Sequence, residues 1–249
     1  MEPTERFSSR AGHYARYRPG YPEAVVDTLE AQAGLRPGNM VADIGAGTGI
    51  SSALFLRRGY AVTAVEPNDE MRARAAAALG ANPAFRAVAG TAERTGLPAA
   101  AVDCVLCAQA LHWFRLPEAS MEFRRILRPG GLIAVMWNLR KRAASAFMEG
   151  LETLLYAHCP TYAEQVFKDT QKAVVNVRTL SAEVNAGVFE WVDPLDREVL
   201  LGRMLSASYV PLEGEANRAV VEGLVRLFEQ QQQGGRVEMV YETKLFWMR

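Results

Sequence analysis

The stretch Asp43-Ile-Gly45-Ala-Gly47-Thr-Gly49 constrains the fold of this chain more than any other part of its sequence. It ends an apolar segment, residues 39–46, that predicts a buried strand, and it precedes residues 50–58, which predict a helix. Glycines at such a junction let the backbone turn without a Cβ penalty and approach a ligand closely. The chain is therefore expected to bind a ligand at the carboxyl end of its first strand.

Predicted strands and helices alternate from residue 39 to about Arg140. The run 102–110 is apolar throughout, as is typical of a parallel strand buried on both faces. This alternation predicts right-handed βαβ units and a doubly wound parallel sheet. The other predicted strands lie at 60–66, 84–89 and 132–138, and further helices at 71–79 and 121–128, before the turn Pro129-Gly130-Gly131.

Beyond Arg140 the alternation breaks, and the pattern predicts helices at 145–158, 195–209 and 215–232 and strands at 187–192 and 236–247. Two strands added to the sheet edge give an α/β fold with seven strands, mostly parallel with an antiparallel last strand. We expect a single domain over 1–249. It comprises an N-terminal helical cap (1–36), a cofactor-binding core (37–140), a helical lid insertion (141–185) and C-terminal strands and helices (186–249).

Charge and composition exclude several classes of protein. The chain carries 28 basic and 28 acidic side chains, and this zero net charge argues against binding nucleic acid by bulk electrostatics. No apolar stretch approaches the roughly 20 residues that span a bilayer, and the N-terminus lacks the apolar region of a secretory signal. Three cysteines then suggest reduced thiols and a cytoplasmic location, with no membrane or nucleic-acid partner.

A carboxylate stands at the end of the second predicted strand. Glu66 follows Asp43 by 23 residues, and in this position it can accept hydrogen bonds from both hydroxyls of a ribose. The dinucleotide fingerprint GxGxxG would require glycine where Ile50 stands, so the spacing departs from the NAD pattern. Either feature alone would fit an ordinary tight turn and a solvated strand end, but the pair within one βαβ unit favours a nucleotide site.

The chain resembles class I S-adenosylmethionine-dependent methyltransferases, within them the type 11 small-molecule group that includes trans-aconitate methyltransferase-like proteins. The resemblance covers about residues 39–138 through VADIGAGTG, VTAVEPNDEM, GTAERTGLPAAAVDCVLCAQALHWF and RPGG, and YARYRPGYP (14–22) resembles the head of one subgroup. It implies a Rossmann-like fold and S-adenosyl-L-methionine as cofactor, with S-adenosyl-L-homocysteine as product.

The resemblance also implies roles for individual residues. Asp43 would hold the ligand's ammonium or order the glycine turn, and Glu66 would bind the ribose diol. The turn would line the methionine and ribose part, the start of the next helix and the loop after the third strand would border the adenine, and the end of the fourth strand would face the methionine. The remaining cofactor-binding candidates are Gly45, Ala46, Gly47, Gly49, Pro67, Asn68, Met71, Thr91, Ala92, Glu93, Gln109 and Ala110.

The methyl acceptor is expected beside His112, which lies just past the fourth strand. His112 is a candidate general base, or it only hydrogen-bonds the loop and shapes the pocket, with Trp113 and Phe114 as candidate walls. Arg18 and Arg140 either grip a carboxylate or are ordinary solvated arginines. The full set of acceptor-side candidates is Tyr14, Tyr17, Arg18, His112, Trp113, Trp137, Asn138, Arg140 and Tyr209.

Cys104 and Cys107 form a CxxC pair, but residues three apart on a strand point to opposite faces. With no second CxxC, we predict buried structural thiols and no metal site. The sequence as a whole predicts methylation of a small molecule at an oxygen, carboxylate or hydroxyl, by a monomer or homodimer. The alternatives are a non-catalytic S-adenosylmethionine-binding protein and an NAD(P)-dependent oxidoreductase, against which Ile50 counts.

Overall fold

A seven-stranded sheet forms the centre of the molecule in a computed structural model that describes residues 17–164, Val166 and 177–249. Its strand order is β3-β2-β1-β4-β5-β7-β6. The first five strands are parallel, and β7 runs antiparallel between β5 and β6. The strands are β1 Met40–Ile44, β2 Ala61–Val65, β3 Phe85–Val88, β4 Val102–Ala108, β5 Leu127–Arg140, β6 Asn185–Leu195 and β7 Val237–Met248. The predicted fold class is confirmed.

Helices cover both faces of the sheet, and further helices pack against β7 near its C-terminal edge. Helices α1 and α2 pack on one face, α4 packs on the opposite face, and α5, α6 and α7 form a third apolar cluster with β7. The helices are α1 Ala24–Ala33, α2 Ile50–Arg57, α3 Asp69–Leu79, α4 Leu116–Ile126, α5 Ala146–His158, α6 Arg197–Leu205 and α7 Gly214–Gln231. Within the described parts of the chain, no helix is long and apolar enough to cross a membrane.

Alternation along β4 separates the two thiols of the CxxC pair. Cys104 packs in the cluster with α1 and α2, whereas Cys107 packs in the cluster with α4. Both thiols are free and fully buried. The expectation that they point to opposite faces is therefore confirmed.

The Pro129-Gly130-Gly131 segment is not a turn ahead of β5, as the sequence suggested, but an irregular part of that strand. Leu127 pairs with Val102 and Leu132 with Cys104, so four residues of β5 loop out against one of β4. The helix predicted at 121–128 begins earlier, at Leu116, because a proline near its first position favours helix initiation. The divisions into cap, core and lid remain predictions, and residues 1–16, 165 and 167–176 lie outside the described ones.

A buried carboxylate joins the end of β1 to the start of α2. Asp43 is fully buried, and its Oδ2 accepts hydrogen bonds from Ser51 Oγ at 2.6 Å and Ser52 Oγ at 2.7 Å. Its Oδ1 accepts none from the described residues. Burial raises the pKa of Asp43 from 3.8 to about 6, although the two serine hydroxyls act in the opposite direction. The charge of Glu66 adds to the increase.

This raised pKa predicts a pH-dependent stability. Between about pH 4 and pH 6 the folded protein holds a proton on Asp43 that the unfolded chain releases. The carboxyl thus favours folding below about pH 4, and this contribution is lost as the pH rises through 6. At about 1.4 kcal/mol per pH unit, the loss is on the order of 2–3 kcal/mol.

In Asp43→Asn the titration is absent, so the free energy of unfolding of the variant, relative to wild type, should rise by that amount between pH 4 and pH 7. Urea denaturation at several pH values measures it, with Asp69→Asn, at an exposed aspartate, as the control. Curves for Asp43→Asn and wild type that stay parallel across this range would contradict the prediction.

Candidate active site

Two neighbouring cavities lie at the carboxyl ends of the parallel strands. The smaller one, about 300 Å³, is lined by the glycine turn, Glu66 and the loop Thr91–Glu93, and we call it the glycine cavity. The larger one, about 460 Å³, is lined by Arg18, Arg140, Arg142 and Arg203 among others, and we call it the arginine cavity. Tyr21, Ile50, Gln109 and Trp113 line both cavities and so form the wall between them.

The glycine turn folds tightly against the end of β2. The backbone N–H groups of Gly45 and Ala46 both donate to Val65 O, at 2.9 and 3.3 Å. Gly45 has a φ of 69°, and a Cβ there would lie 2.8 Å from Ala110 Cβ, so only glycine fits. The turn therefore presents its backbone to the cavity at a point where any side chain would collide with the end of β4.

Two of the predicted cofactor residues do not line either cavity. Asp43 lies beneath the turn and bonds only the serines of α2, which supports the ordering role and not contact with an ammonium. Gly49 faces α3: a Cβ there would lie 2.7 Å from Leu79 Cδ1 and 3.4 Å from Ala75 Cβ. Both residues belong to the motif, but they support the turn from behind and do not form its ligand-facing surface.

Glu66 connects the glycine turn to the start of α3. Its Oε2 accepts from Gly47 N and its Oε1 from Asn68 N, both at 2.9 Å. Burial raises the pKa of Glu66, and these two backbone N–H groups oppose the increase. Asn68 in turn caps α3 through Oδ1, which accepts from Met71 N at 2.9 Å. Each carboxylate oxygen of Glu66 keeps a second lone pair for a hydroxyl in the glycine cavity.

The loop after β3 forms the far wall of the glycine cavity. Thr91 and Arg94 pair across a tight turn, and Glu93 Oε1 accepts from Arg115 N at 2.8 Å. Burial would raise the pKa of Glu93, but hydrogen bonds from the Arg115 amide and the Thr91 hydroxyl bring it below its usual value. Apart from Asp43 and Gly49, every predicted cofactor residue lines this cavity: Gly45, Ala46, Gly47, Glu66, Pro67, Asn68, Met71, Thr91, Ala92, Glu93, Gln109 and Ala110.

Sequence reasoning missed several other lining residues of the glycine cavity. Thr48 and Ser51 lie within or next to the motif, so the motif itself was a sufficient signal for them. Tyr21 lies outside every motif used for the cofactor. Phe114, predicted as a wall for the acceptor, lines the glycine cavity instead.

Most acceptor-side predictions meet in the arginine cavity, and one does not. Arg18, His112, Trp113, Trp137, Asn138, Arg140 and Tyr209 line it. Tyr17 instead packs on α6, where its hydroxyl donates to Glu198 Oε1 at 3.1 Å and its ring occupies the space beside Gly202. Tyr14 lies outside the described residues.

His112 lies on the short 3-10 turn Leu111–Trp113, with its ring 4.6 Å from that of Trp113. It lines the arginine cavity and not the glycine cavity. Asn138 has both ends of its amide engaged, since Nδ2 donates to Gly20 O at 2.7 Å and Oδ1 accepts from Thr243 Oγ1 at 2.6 Å. Asn138 therefore shapes the wall of the cavity, whereas His112 is placed on its surface.

Two guanidinium groups share one carboxylate in the wall of the arginine cavity. Glu152 lies 3.5 Å from a nitrogen of Arg140 and 3.5 Å from Nε of Arg142. Tyr162 bonds more closely to the same carboxylate, at 2.6 and 2.8 Å, and also accepts from Arg140 Nη2 at 2.5 Å. Arg142 makes no hydrogen bond to any described residue, and its Nε is buried without one. The cluster thus carries one positive charge in excess.

Arg140 remains a cation although it is buried. Burial alone would lower its pKa, but Tyr209, Tyr162 and Glu152 raise it above its usual value. Its guanidinium also lies over the rings of Tyr162 and Tyr209, 5.6 and 5.9 Å from their centroids. Sequence reasoning named Arg140 and Tyr209 but missed Arg142, Glu152 and Tyr162, because the segment after Arg140 carries no recognisable motif.

The described residues contain no group of three or more His, Cys, Asp or Glu side chains that could hold a metal ion. The two cavities instead offer a backbone-lined pocket with an acidic edge and, beside it, an aromatic pocket with excess positive charge. This arrangement suits two different ligands that meet at the shared wall.

The known proteins that match this chain are described as methyltransferases. A family model described as a methyltransferase domain matches residues 42–135. An uncharacterized methyltransferase of Mycobacterium tuberculosis is 43% identical over 134 residues, which are 54% of this chain and 52% of the relative. A malonyl-[acyl-carrier protein] O-methyltransferase of Serratia marcescens is 33% identical over 132 residues, 51% of this chain and 49% of that protein. The chain spans about half the length of the curated relatives it matches.

Solved structures share the whole fold. A protein assigned to the type II methyltransferases from Anaeromyxobacter dehalogenans has a TM-score of 0.66 at 24% identity, covering 94% of this chain and 98% of its own. A methyltransferase assigned to antibiotic biosynthesis in Anabaena variabilis has a TM-score of 0.62 at 23% identity, covering 93% and 98%. These likenesses concern the fold, and the family match concerns the sequence around the glycine cavity. Residues 42–135 of this chain are therefore similar in sequence to the methyltransferase domain family, and the fold of the chain is similar to that of these solved structures.

Proposed function

We propose that the protein is an S-adenosylmethionine-dependent methyltransferase that methylates an oxygen, carboxylate or hydroxyl, of a small molecule. The observation that carries this proposal is the pair of cavities with a common wall at the carboxyl edge of a methyltransferase-type sheet. One ligand would occupy the glycine cavity and the other the arginine cavity. The methyl would then cross at the wall formed by Tyr21, Ile50, Gln109 and Trp113.

The residues of the glycine cavity fit the cofactor. Glu66 would hold the ribose hydroxyls through its remaining lone pairs, and the Gly45–Gly47 backbone would lie against the methionine part. Thr91, Ala92 and Glu93 would border the adenine. When bound, S-adenosylmethionine supplies a methyl on a sulfonium, whose transfer breaks the S–CH3 bond, forms an O–CH3 bond and leaves the electron pair on sulfur.

The charge of the arginine cavity favours an acidic acceptor. Arg140 and Arg142 share the Glu152 carboxylate. Arg140 also donates to Tyr162 and Met204, whereas Nε of Arg142 is buried without a hydrogen bond to the described residues and is left for another partner. Guanidinium groups bind carboxylates by charge-assisted hydrogen bonds, which strengthen in a pocket of low dielectric. The aromatic lining from Trp137, Tyr209 and neighbours suits a small organic molecule. The malonyl-[acyl-carrier protein] O-methyltransferase relatives also favour oxygen as the acceptor atom.

His112 has a different role for each kind of oxygen. A hydroxyl acceptor must lose its proton, and His112 is the side chain we propose to accept it. A carboxylate acceptor is already ionised and needs only orientation. In either case the walls around His112 would exclude water from the reacting atoms.

We also infer a cytoplasmic location, because all three cysteine thiols are buried and free, and a monomer or homodimer without a nucleic-acid partner.

Calorimetric titration with S-adenosylhomocysteine, NAD and NADP tests the cofactor. We expect micromolar binding of the first alone, weakened at least tenfold in Glu66→Gln, because an amide NH2 would face one of the two backbone N–H donors. Glu118→Gln, at an exposed glutamate of α4, is the matched control and should bind as wild type. Absence of S-adenosylhomocysteine binding would refute the proposal, and binding of NAD or NADP would favour an oxidoreductase. Binding without methylation of any acceptor would favour a non-catalytic binding protein.

The excess positive charge predicts the acceptor class. Methylation assays with pairs of small acids and their neutral amides should show turnover of the acids only. Arg142→Gln should raise KM for the acid at least tenfold and leave kcat within about threefold, because the lost interaction concerns binding. Arg226→Gln, an exposed arginine of α7, serves as the control. Equal turnover of acids and amides, or an unchanged KM in Arg142→Gln, would exclude this role of the arginine cavity.

The two acceptor chemistries separate in a His112→Asn variant. With a hydroxyl acceptor we expect kcat to fall about 100-fold or more, since a general base is lost. With a carboxylate acceptor the decrease should stay below about tenfold. Steady-state rates on matched substrates measure the difference, and His158→Asn, at the end of α5, controls for the loss of an imidazole. The same decrease for both classes would show that His112 is a wall and not a base.

A further inference from the structure

The charges around the arginine cavity cancel almost completely. Arg203 is neutralised by Asp193, whose Oδ2 accepts from its Nη1 at 2.6 Å. Arg140 and Arg142 share the carboxylate of Glu152, 3.5 Å from a nitrogen of each. Among the described residues that line the cavity or pair with its lining, one positive charge remains when the arginines are set against the carboxylates: Arg18, Arg140, Arg142 and Arg203 against Glu152, Glu164 and Asp193.

Glu152 lies behind two of these arginines and not on the surface of the cavity. It belongs to α5, its side chain is only 10% exposed, and it lines neither cavity. The Tyr162 hydroxyl lies 2.6 and 2.8 Å from its two carboxylate oxygens and accepts from Arg140 Nη2. A ligand in the cavity would therefore contact the guanidinium groups, and Glu152 would act on that ligand through them.

A carboxylate in this position determines how much positive charge the ligand meets. Two guanidinium groups beside one carboxylate repel each other, and water and salt screen this repulsion weakly in a buried cluster. Glu152 cancels one of the two charges. Nε of Arg142 has no hydrogen bond to the described residues, so the remaining charge is available to an anion that enters the cavity. A second negative charge would exceed the positive charge that the described residues leave.

We propose that Glu152 sets the charge of the acceptor: by cancelling one guanidinium charge from behind, it makes the arginine cavity select a small acid with one negative charge over one with two. This inference rests on the proposed function and narrows its acidic acceptor to a monoanion, such as a hydroxy acid or a monocarboxylic acid. Glu152 determines specificity without touching the acceptor. A dianion would hold its second charge unpaired in a pocket of low dielectric, which lowers its affinity.

A purely structural role of Glu152 has a different consequence. If Glu152 only fastened α5 to the end of β5 through Arg140, its replacement would weaken the fold, or the binding of every acid alike. If Glu152 sets the charge, its replacement changes the ratio of the affinities for acids of different charge. The ratio of Kd for a diacid to Kd for its monoester therefore separates the two roles.

The test measures the affinities of succinate and isophthalate, and of the monomethyl ester of each, by calorimetry at pH 8 with saturating S-adenosylhomocysteine. The diacids carry two negative charges and the monoesters one. For wild type we expect Kd of the diacid to exceed Kd of its monoester at least tenfold. In Glu152→Gln the ratio should fall at least tenfold, because the excess charge rises from one to two while Oε1 can still accept from Tyr162.

A second background keeps the test independent of folding. Two buried guanidinium groups without their carboxylate destabilise a fold, so Glu152→Gln is also combined with Arg142→Gln, which removes the repulsion. Relative to Arg142→Gln alone, the double variant should again show a ratio at least tenfold lower, close to that of wild type. Glu149→Gln, at an exposed glutamate one turn earlier on α5, is the matched control and should leave the ratio within twofold.

The assignment of Glu152 would be overturned by unchanged ratios in both backgrounds, by equal weakening of diacid and monoester, or by a wild type that prefers the diacids or binds none of the four acids. In each of these cases S-adenosylhomocysteine still binds to wild type, so the cofactor part of the proposed function survives. If wild type does not bind S-adenosylhomocysteine, the proposed function and this inference both fail.

Discussion

The candidate site depends on one carboxylate that holds two backbone segments together. Glu66 accepts the N–H of Gly47 from the turn after β1 and the N–H of Asn68 from the start of α3. Charge-assisted bonds of this kind are stronger than neutral ones, and here they connect elements that chain connectivity leaves independent. The glycine turn, the cap of α3 and the edge of the cavity consequently share one anchor, which also remains able to accept from a ligand.

Beneath this anchor the second buried carboxylate works differently. Asp43 accepts hydrogen bonds from Ser51 and Ser52, and its other oxygen has none from the described residues. Its pKa is raised because burial disfavours its charge. Two acids that belong to the same sequence pattern therefore have distinct tasks. Asp43 holds α2 against β1, and Glu66 faces the cavity.

The core of the fold was predictable because its signals are local. Apolar runs, glycines and alternating strands and helices lie within short stretches, and the structure has all seven predicted strands in a doubly wound arrangement. Distinguishing the residues of a motif was harder: Asp43 and Gly49 belong to the glycine turn, but they point away from its ligand side. Adjacency in sequence does not reveal which face of a turn a residue occupies.

The acceptor side was the least predictable, because its contacts are made across the fold. Tyr17 was expected in the site but is held by Glu198 and Gly202, more than 180 positions along the chain. Conversely, Glu152 and Tyr162 complete the charge cluster around Arg140 without any motif of their own. The sequence alone does not distinguish an arginine with a solvated side chain from one, such as Arg140, that shares a carboxylate with a second guanidinium.

The two C-terminal strands bear on the site through a chain of hydrogen bonds that crosses the sheet. Trp191 Nε1 on β6 donates to Thr243 Oγ1 on β7 at 2.8 Å, and this hydroxyl donates to Asn138 Oδ1 on β5 at 2.6 Å. Asn138 O then accepts from Gln109 Nε2 at 3.1 Å. Thr243 is fully buried, so its hydroxyl requires both partners. The two C-terminal strands are thus joined through side chains to Asn138, whose backbone carbonyl accepts from the Gln109 amide in the wall between the cavities.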